Sequence, residues 1–312
     1  MEQMMVNLLP VFLILAIGFL ARRSGFLNAS AMDGLKSVLI RVGLPSALFL
    51  AFCQADLNPG YIWVFLAVFG FCVFLYLLGG ALHRWLPRVF PDAYTNAYFT
   101  GFEFGMIGIG LFTAIWGMEK LPTIAMIALG HEIFIWFVYV PVLESRKTGR
   151  VDVWKIVRDF FRTPTVMAIL LGVLFNVFGI YIYLSSVMAG QAVLKSLTMT
   201  SNLVAPLILL VIGYSLSFKR VPLRKSIALI ATRWAAVLGF GYLLLQVLQR
   251  FLVLDGFFRV AFVAFILLPP PFILPLFMKP EHREEISFFS ELLIYYTVVS
   301  FFAYMVFMSM GL

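Results

Sequence analysis

Two carboxylates and a histidine stand in stretches where almost every neighbour is apolar. Glu103 lies in "TGFEFGMIGIGLF", and His131 and Glu132 lie in "MIALGHEIFIWF". Arg41 in "VLIRVGLP" and Arg233 in "IATRWAAV" are cations in similar company. Ionisable groups inside a bilayer are costly and mark ion or substrate pathways. A buried glutamate is eased by a bound cation, so Glu103 and Glu132 are candidate holders of a coupling ion, either a proton or sodium. His131 and Glu132 are adjacent, so on a helix they point about 100° apart. His131 reads as a hydrogen-bonded packing residue. Arg41 and Arg233 suit an anionic substrate, but each is close to an expected cytoplasmic boundary, where an arginine snorkels to the interface. Asn96, Thr100, Asn202, Thr297 and Ser300 are the polar candidates at mid-depth; Thr297 and Ser300 share a helix face at i, i+3 spacing.

The elements that position these groups follow from composition. The 312 residues are 62% hydrophobic and 12% charged, with mean hydropathy +1.00. A soluble domain is about 45–50% apolar and about 25% charged, so the bilayer is the solvent. A spanning helix needs roughly 20 apolar residues. Ten stretches qualify: Met5–Ala21, Ser37–Cys53, Tyr61–Leu82, Ala93–Gly117, Leu121–Leu143, Thr163–Gly179, Leu197–Ser217, Ser226–Leu248, Phe257–Met278 and Ile286–Met310. Little chain remains for a soluble domain. Tyr61, Trp63 and Trp85 read as interfacial anchors.

Basic residues collect in cytoplasmic loops. Alternate loops carry 17 and 4 of the lysines and arginines, which puts both termini outside. The net charge of +8 therefore reflects topology and not nucleic-acid binding. The segment "VDVWKIVRDFFR", residues 151–162, alternates apolar and basic faces. It reads either as an interfacial helix or as a plain connector. Cys53 and Cys72 read as buried, inert thiols. No zinc spacing, H-E-x-x-H or G-x-S-x-G occurs, so neither a metal centre nor an enzyme is expected.

Ten spans divide into two halves of opposite orientation, residues 1–143 and 163–312, joined by a basic loop over 144–162. Such inverted repeats are a transporter architecture. "LKS" at Leu35–Ser37 precedes Pro45, and "LKS" at Leu194–Ser196 precedes Pro206. The fourth span carries Gly101, Gly105, Gly108 and Gly110; the ninth reads "LLPPPFILP", with Pro269 and Pro270 at its centre. Aligning "GIGLF" with "ILPLF" sets Gly105 opposite Pro270. Backbone groups freed in lipid must be satisfied by protein or water. Two broken spans, one per half, are expected to meet at a cavity. Gly105, Gly108, Pro269, Pro270, Asn202, Thr297 and Ser300 are the candidate substrate-binding residues.

These residues resemble the auxin efflux carrier (PIN-like) family, bacterial type. The resemblance rests on "LPVFLILAIGFLARRSGFLNASAMDGLKSVLIRVGLPSALFLAF", "GMIGIGLFTAIWG", "ILLPPPF" and "YYTVVSFF". It implies an all-α integral membrane fold with crossed broken helices 4 and 9, as in bile-acid symporters and sodium/proton antiporters. Spans 1, 2, 6 and 7 would form a scaffold; spans 3–5 and 8–10 would move. The implied activity is secondary transport of a small organic anion, a carboxylate or auxin-like compound, by elevator-type alternating access across the cell membrane. H+ or Na+ would be the coupling ion, and no other cofactor is implied. The partners would be the substrate, the lipid bilayer and a second copy in a homodimer. Glu103 departs from the asparagine common at its place in the family, and Gly110 from a proline. A channel and a transporter-like sensor are the alternatives.

Overall fold

The structure is a computed structural model; it describes residues 2–150, 152–216, 222–254, 256–279 and 281–309, with the side chains of residues 2–8 and 309 excepted. Lys219, Arg220 and both chain ends, on which part of the expected orientation rests, lie outside the described residues.

The described chain is helical, with no strand among its described residues. In order the helices are α1 Glu2–Arg23, α2 Ala29–Val38, α3 Leu44–Cys53, α4 Tyr61–Trp85, α5 Thr95–Phe99, α6 Ile109–Trp116, α7 Leu121–Phe134 and α8 Val140–Thr148. There follow α9 Val153–Arg162, α10 Pro164–Val177, α11 Ile180–Ser186, α12 Met188–Ser201, α13 Val204–Ser215, α14 Leu223–Phe251, α15 Phe258–Ile266 and α16 Arg283–Ser309. Widened π turns at Leu39–Gly43, Phe104–Gly108 and Ile135–Tyr139 lead into α3, α6 and α8.

Seven runs of described helix are long and apolar enough to cross a membrane, or eight if the bent pair α9–α10 counts as one. The ten expected spans are not all found as continuous helices. In the ninth, Pro269, Pro270 and Pro271 stop α15 after Ile266; a proline supplies no N–H and clashes with the turn before it. The sixth is short: α10 has 14 residues and bends 65° from amphipathic α9. The first expected span is the 22-residue helix α1. The second and seventh begin earlier than expected, at Ala29 and Met188, so each "LKS" lies inside its helix. Asn28 explains the early start of α2, since its Oδ1 accepts the Ala31 N–H at 2.8 Å.

The chain forms two compact units. The first comprises Met1–Leu57, Gly105–Met126 and Val157–Leu216. Here α1 lies against α13 because Gly18 and Gly213 have no Cβ: one would collide with the Leu210 carbonyl, the other with that of Leu15. Gly172 lets α10 approach α3 in the same way, and Asn176 Nδ2 donates to the carbonyls of Phe52 and Ala55 at 3.0 and 2.8 Å. That bond satisfies the C-terminal end of α3, which has no following turn to do so.

The second unit comprises Asn58–Phe104, Ile127–Ile156 and Ser217–Leu312. Its core holds Tyr98, Phe99, Phe102, Phe134, Phe258 and Phe262, all fully buried. Gly79 admits α5 against α4. Arg146, at the end of α8, donates to Ala93 O, Asn96 Oδ1 and Tyr76 OH at 3.0–3.2 Å. Lys225 pairs with buried Asp92 at 2.8 Å and lies over the Phe288 ring.

Candidate functional site

The polar residues of the second unit converge where two apolar segments lose their helix. After α5 the chain is irregular through Thr100–Glu103; after α15 it is irregular through Pro269–Pro271. The two interruptions touch: the Glu103 N–H donates to Pro269 O at 2.8 Å, and Glu103 Oε2 accepts the Phe272 N–H at 2.7 Å. One residue thus serves both sides of the gap. Its carboxylate takes up a backbone donor that the prolines leave stranded.

Gly101 turns the chain at the first interruption. Its φ of 71° is a region that glycine enters without steric cost. A Cβ there would stand 2.6 Å from Pro271 Cγ and 3.0 Å from Ile135 Cδ1. The close approach at this interruption falls on Gly101. A Cβ on Gly105 would meet nothing within 4 Å.

Two further side chains hold the same loop. His131, 2% exposed, accepts the Phe102 N–H on Nε2 at 2.9 Å. A nitrogen that accepts carries no proton, so the neutral ring holds its proton on Nδ1. Nδ1 lies 3.3 Å from Glu132 Oε1, an electrostatic contact without hydrogen-bond geometry. The sequence separates these two side chains by about 100°, yet the structure brings their ends together. Glu132 remains 27% exposed.

Arg233 reverses the sequence-based expectation. It does not snorkel: it is 0% exposed, and Nη2 donates to Gly101 O at 2.7 Å. Its guanidinium lies 4.7 Å from the Tyr296 ring centre and 5.4 Å from that of Phe102. Both are within cation–π range. Nε and Nη1 have no acceptor among the described residues. Arg41, by contrast, is exposed, as a snorkelling residue would be.

The remaining candidates separate. Pro269, Pro270 and Gly108 are buried. Thr297 Oγ1 bonds its own helix at Leu293 O, 2.8 Å away, while buried Ser300 has no hydrogen-bond partner among the described residues. Asn96 and Thr100 serve the fold: Asn96 Oδ1 accepts from Arg146 and from the Ala97 N–H, and Thr100 Oγ1 donates to Cys72 O.

Asn202 belongs to the first unit, in a different setting. It borders a cavity of about 400 Å³ together with Gln54, Glu119, Tyr181, Thr198 and Ser201, over an apolar floor that includes Leu50 and Met118. Gln54 and Glu119 were not singled out from sequence, because each stands at a span end where polar residues are ordinary. Among the described residues, no group of three or more His, Cys, Asp or Glu side chains is placed to hold a metal ion.

No family model matches the chain. It is 25% identical over 227 residues to an "Uncharacterized transporter" of Methanothermobacter thermautotrophicus, a match covering 71% of this chain and 70% of that protein. Helices of this length and apolarity together with that relative make this a multi-pass membrane protein of transporter-like character.

Proposed function

We propose that the chain is a secondary transporter that carries a small organic anion across the cell membrane by elevator-type alternating access. One observation carries the anionic substrate: a fully buried guanidinium sits where two interrupted apolar segments meet, with two nitrogens lacking an acceptor among the described residues. A buried cation without a paired anion costs several kcal/mol, and a carboxylate arriving from solution would offset that cost. The name of the 25%-identical relative supports the transporter class. The resemblance to auxin efflux carriers supports ten spans in two inverted repeats, with the fourth and ninth crossing.

On this reading Pro269, Pro270 and Ser300 border the substrate path in the second unit, with Thr297 restricted by its bond to Leu293. Glu103 and Glu132 are the carboxylates to test for H+ or Na+ coupling. Glu103 already holds a backbone N–H, which suits a group that must remain satisfied when no ion is bound. Both termini lie outside the cell on this reading.

The test is flux in proteoliposomes. Saturable uptake of a small carboxylate, accelerated by unlabelled substrate on the far side, is the expected result. Flux without counterflow would make the protein a channel; binding without flux would make it a sensor. Coupling is read from pH- and sodium-gradient dependence in Glu103→Gln and Glu132→Gln.

A further inference from the structure

We propose that the cavity of the first unit is a binding site for a small organic cation, an ammonium group carrying a short apolar chain. The cavity volume of about 400 Å³ falls within the roughly 300–1,000 Å³ of small-molecule sites. The inference stands apart from the transport reading, because it concerns binding within one unit and needs no flux.

Charge is the first reason. Glu119 is the one charged side chain bordering the cavity, and no basic residue borders it. Lys120, next in the chain, is not part of its wall. The C-terminal end of α3 at Gln54 is already taken up by Asn176, and α12 runs on at Asn202 into α13. One further acceptor comes from Pro206, which has no N–H to offer the Asn202 carbonyl four residues earlier.

The second reason is which hydrogen-bonding capacity remains. Thr198 Oγ1 donates to Leu194 O at 2.9 Å, Ser201 Oγ to Thr198 O at 2.8 Å, and Gln54 Nε2 to Leu50 O at 3.2 Å. These donors are directed into their own helices. The two hydroxyls leave oxygen lone pairs for a ligand, while Gln54 and Asn202 keep both donors and acceptors in their amides. With one carboxylate and no basic side chain in the wall, the cavity disfavours an anion and favours a cation. The Tyr181 ring adds a π face, and Leu50, Met118 and Pro122 offer apolar surface to a short alkyl chain.

The test uses the full chain in detergent with butyltrimethylammonium, butanoate and butanol at matched ionic strength. Calorimetry and thermal unfolding read binding, since a ligand selective for the native state raises its melting temperature. The expected result is saturable binding and stabilisation by butyltrimethylammonium alone, with at least tenfold weaker affinity in Glu119→Gln. Glu119 is exposed, so this variant is expected to fold. Asn202→Ala, on a different helix, should weaken the same probe. Butanoate binding as well as the ammonium, absence of saturable binding, or an unchanged response in both variants would overturn the proposal. None of these outcomes depends on whether the protein moves an anion in proteoliposomes.

Discussion

The interrupted helices of the second unit and the cavity of the first treat polar groups in opposite ways. At the interruption, the backbone groups freed by glycine and proline are taken up by side chains from elsewhere in the unit: Phe272 N–H by Glu103, Phe102 N–H by His131, Gly101 C=O by Arg233. At the cavity, the Thr198, Ser201 and Gln54 side chains bond within their own helices, and the one charged side chain in the wall is a carboxylate. The first arrangement is a braced joint with one cation in reserve; the second is a pocket bordered by one carboxylate and no basic side chain. A broken helix is therefore not a binding site by itself. What matters is which donors and acceptors remain after the fold has used its share.

The sharpest way to break this comparison is Arg233→Gln. If the joint depends on a buried cation, this variant should lose at least 90% of transport. The melting temperature in detergent should fall by an amount equivalent to about 1.5–3 kcal/mol, as for loss of a charge-assisted hydrogen bond. Arg233→Lys should retain part of the stability and little transport, because an ammonium cannot present the same planar set of donors. Full activity in Arg233→Gln would remove the anion reading.

Next in size is a pair of glycines. Gly101→Ala should destabilise by about 1–3 kcal/mol, from the positive φ and the overlap with Pro271. Gly105→Ala should be neutral or slightly stabilising, since space is open there and alanine favours helix by about 1 kcal/mol. Thermal unfolding of the two variants side by side checks this. Equal effects would mean the tight turn does not organise the joint.

Glu103→Gln should cost about 1 kcal/mol or less, because an amide oxygen can still accept the Phe272 N–H, whereas Glu103→Ala should cost about 1–3 kcal/mol. If Glu103 also holds a coupling ion, the glutamine variant will keep substrate binding and lose gradient dependence in proteoliposomes. The smallest expected effect is on the cavity side. Glu119→Gln should change stability by about 0.5 kcal/mol or less, as an exposed surface substitution does. A larger loss would mean that its carboxylate braces the fold and is not free for a ligand.

The site was only partly legible in advance. Glu103 and the proline run stood out because a charge and four prolines in apolar sequence violate local rules that membrane segments otherwise obey. Gly101 was hidden among four glycines whose spacing does not reveal which one turns the chain. His131 and Glu132 were separated by helical geometry, yet side-chain length brings Nδ1 to 3.3 Å from the carboxylate. Arg233 was misplaced toward the interface because its distance from a span end was the one quantity the sequence supplies.

By itself the sequence determined the solvent and most of the long elements. Tyr61–Leu82 became Tyr61–Trp85, Ser226–Leu248 became Leu223–Phe251, and Ile286–Met310 became Arg283–Ser309. Hydropathy suffices there because a long apolar run in lipid has no choice but to bond its own backbone as helix. It also determined that helix would fail at Pro269–Pro271, since a missing N–H is a covalent fact. Only the tertiary structure decided where the freed groups would go. Pro269 and Glu103, or Gly101 and Arg233, are separated by more than a hundred residues, and nothing local couples them. Whether an arginine reaches water or a buried carbonyl depends on which distant segment arrives with an acceptor. Packing of one unit decides that, and no reading of neighbours along the chain can.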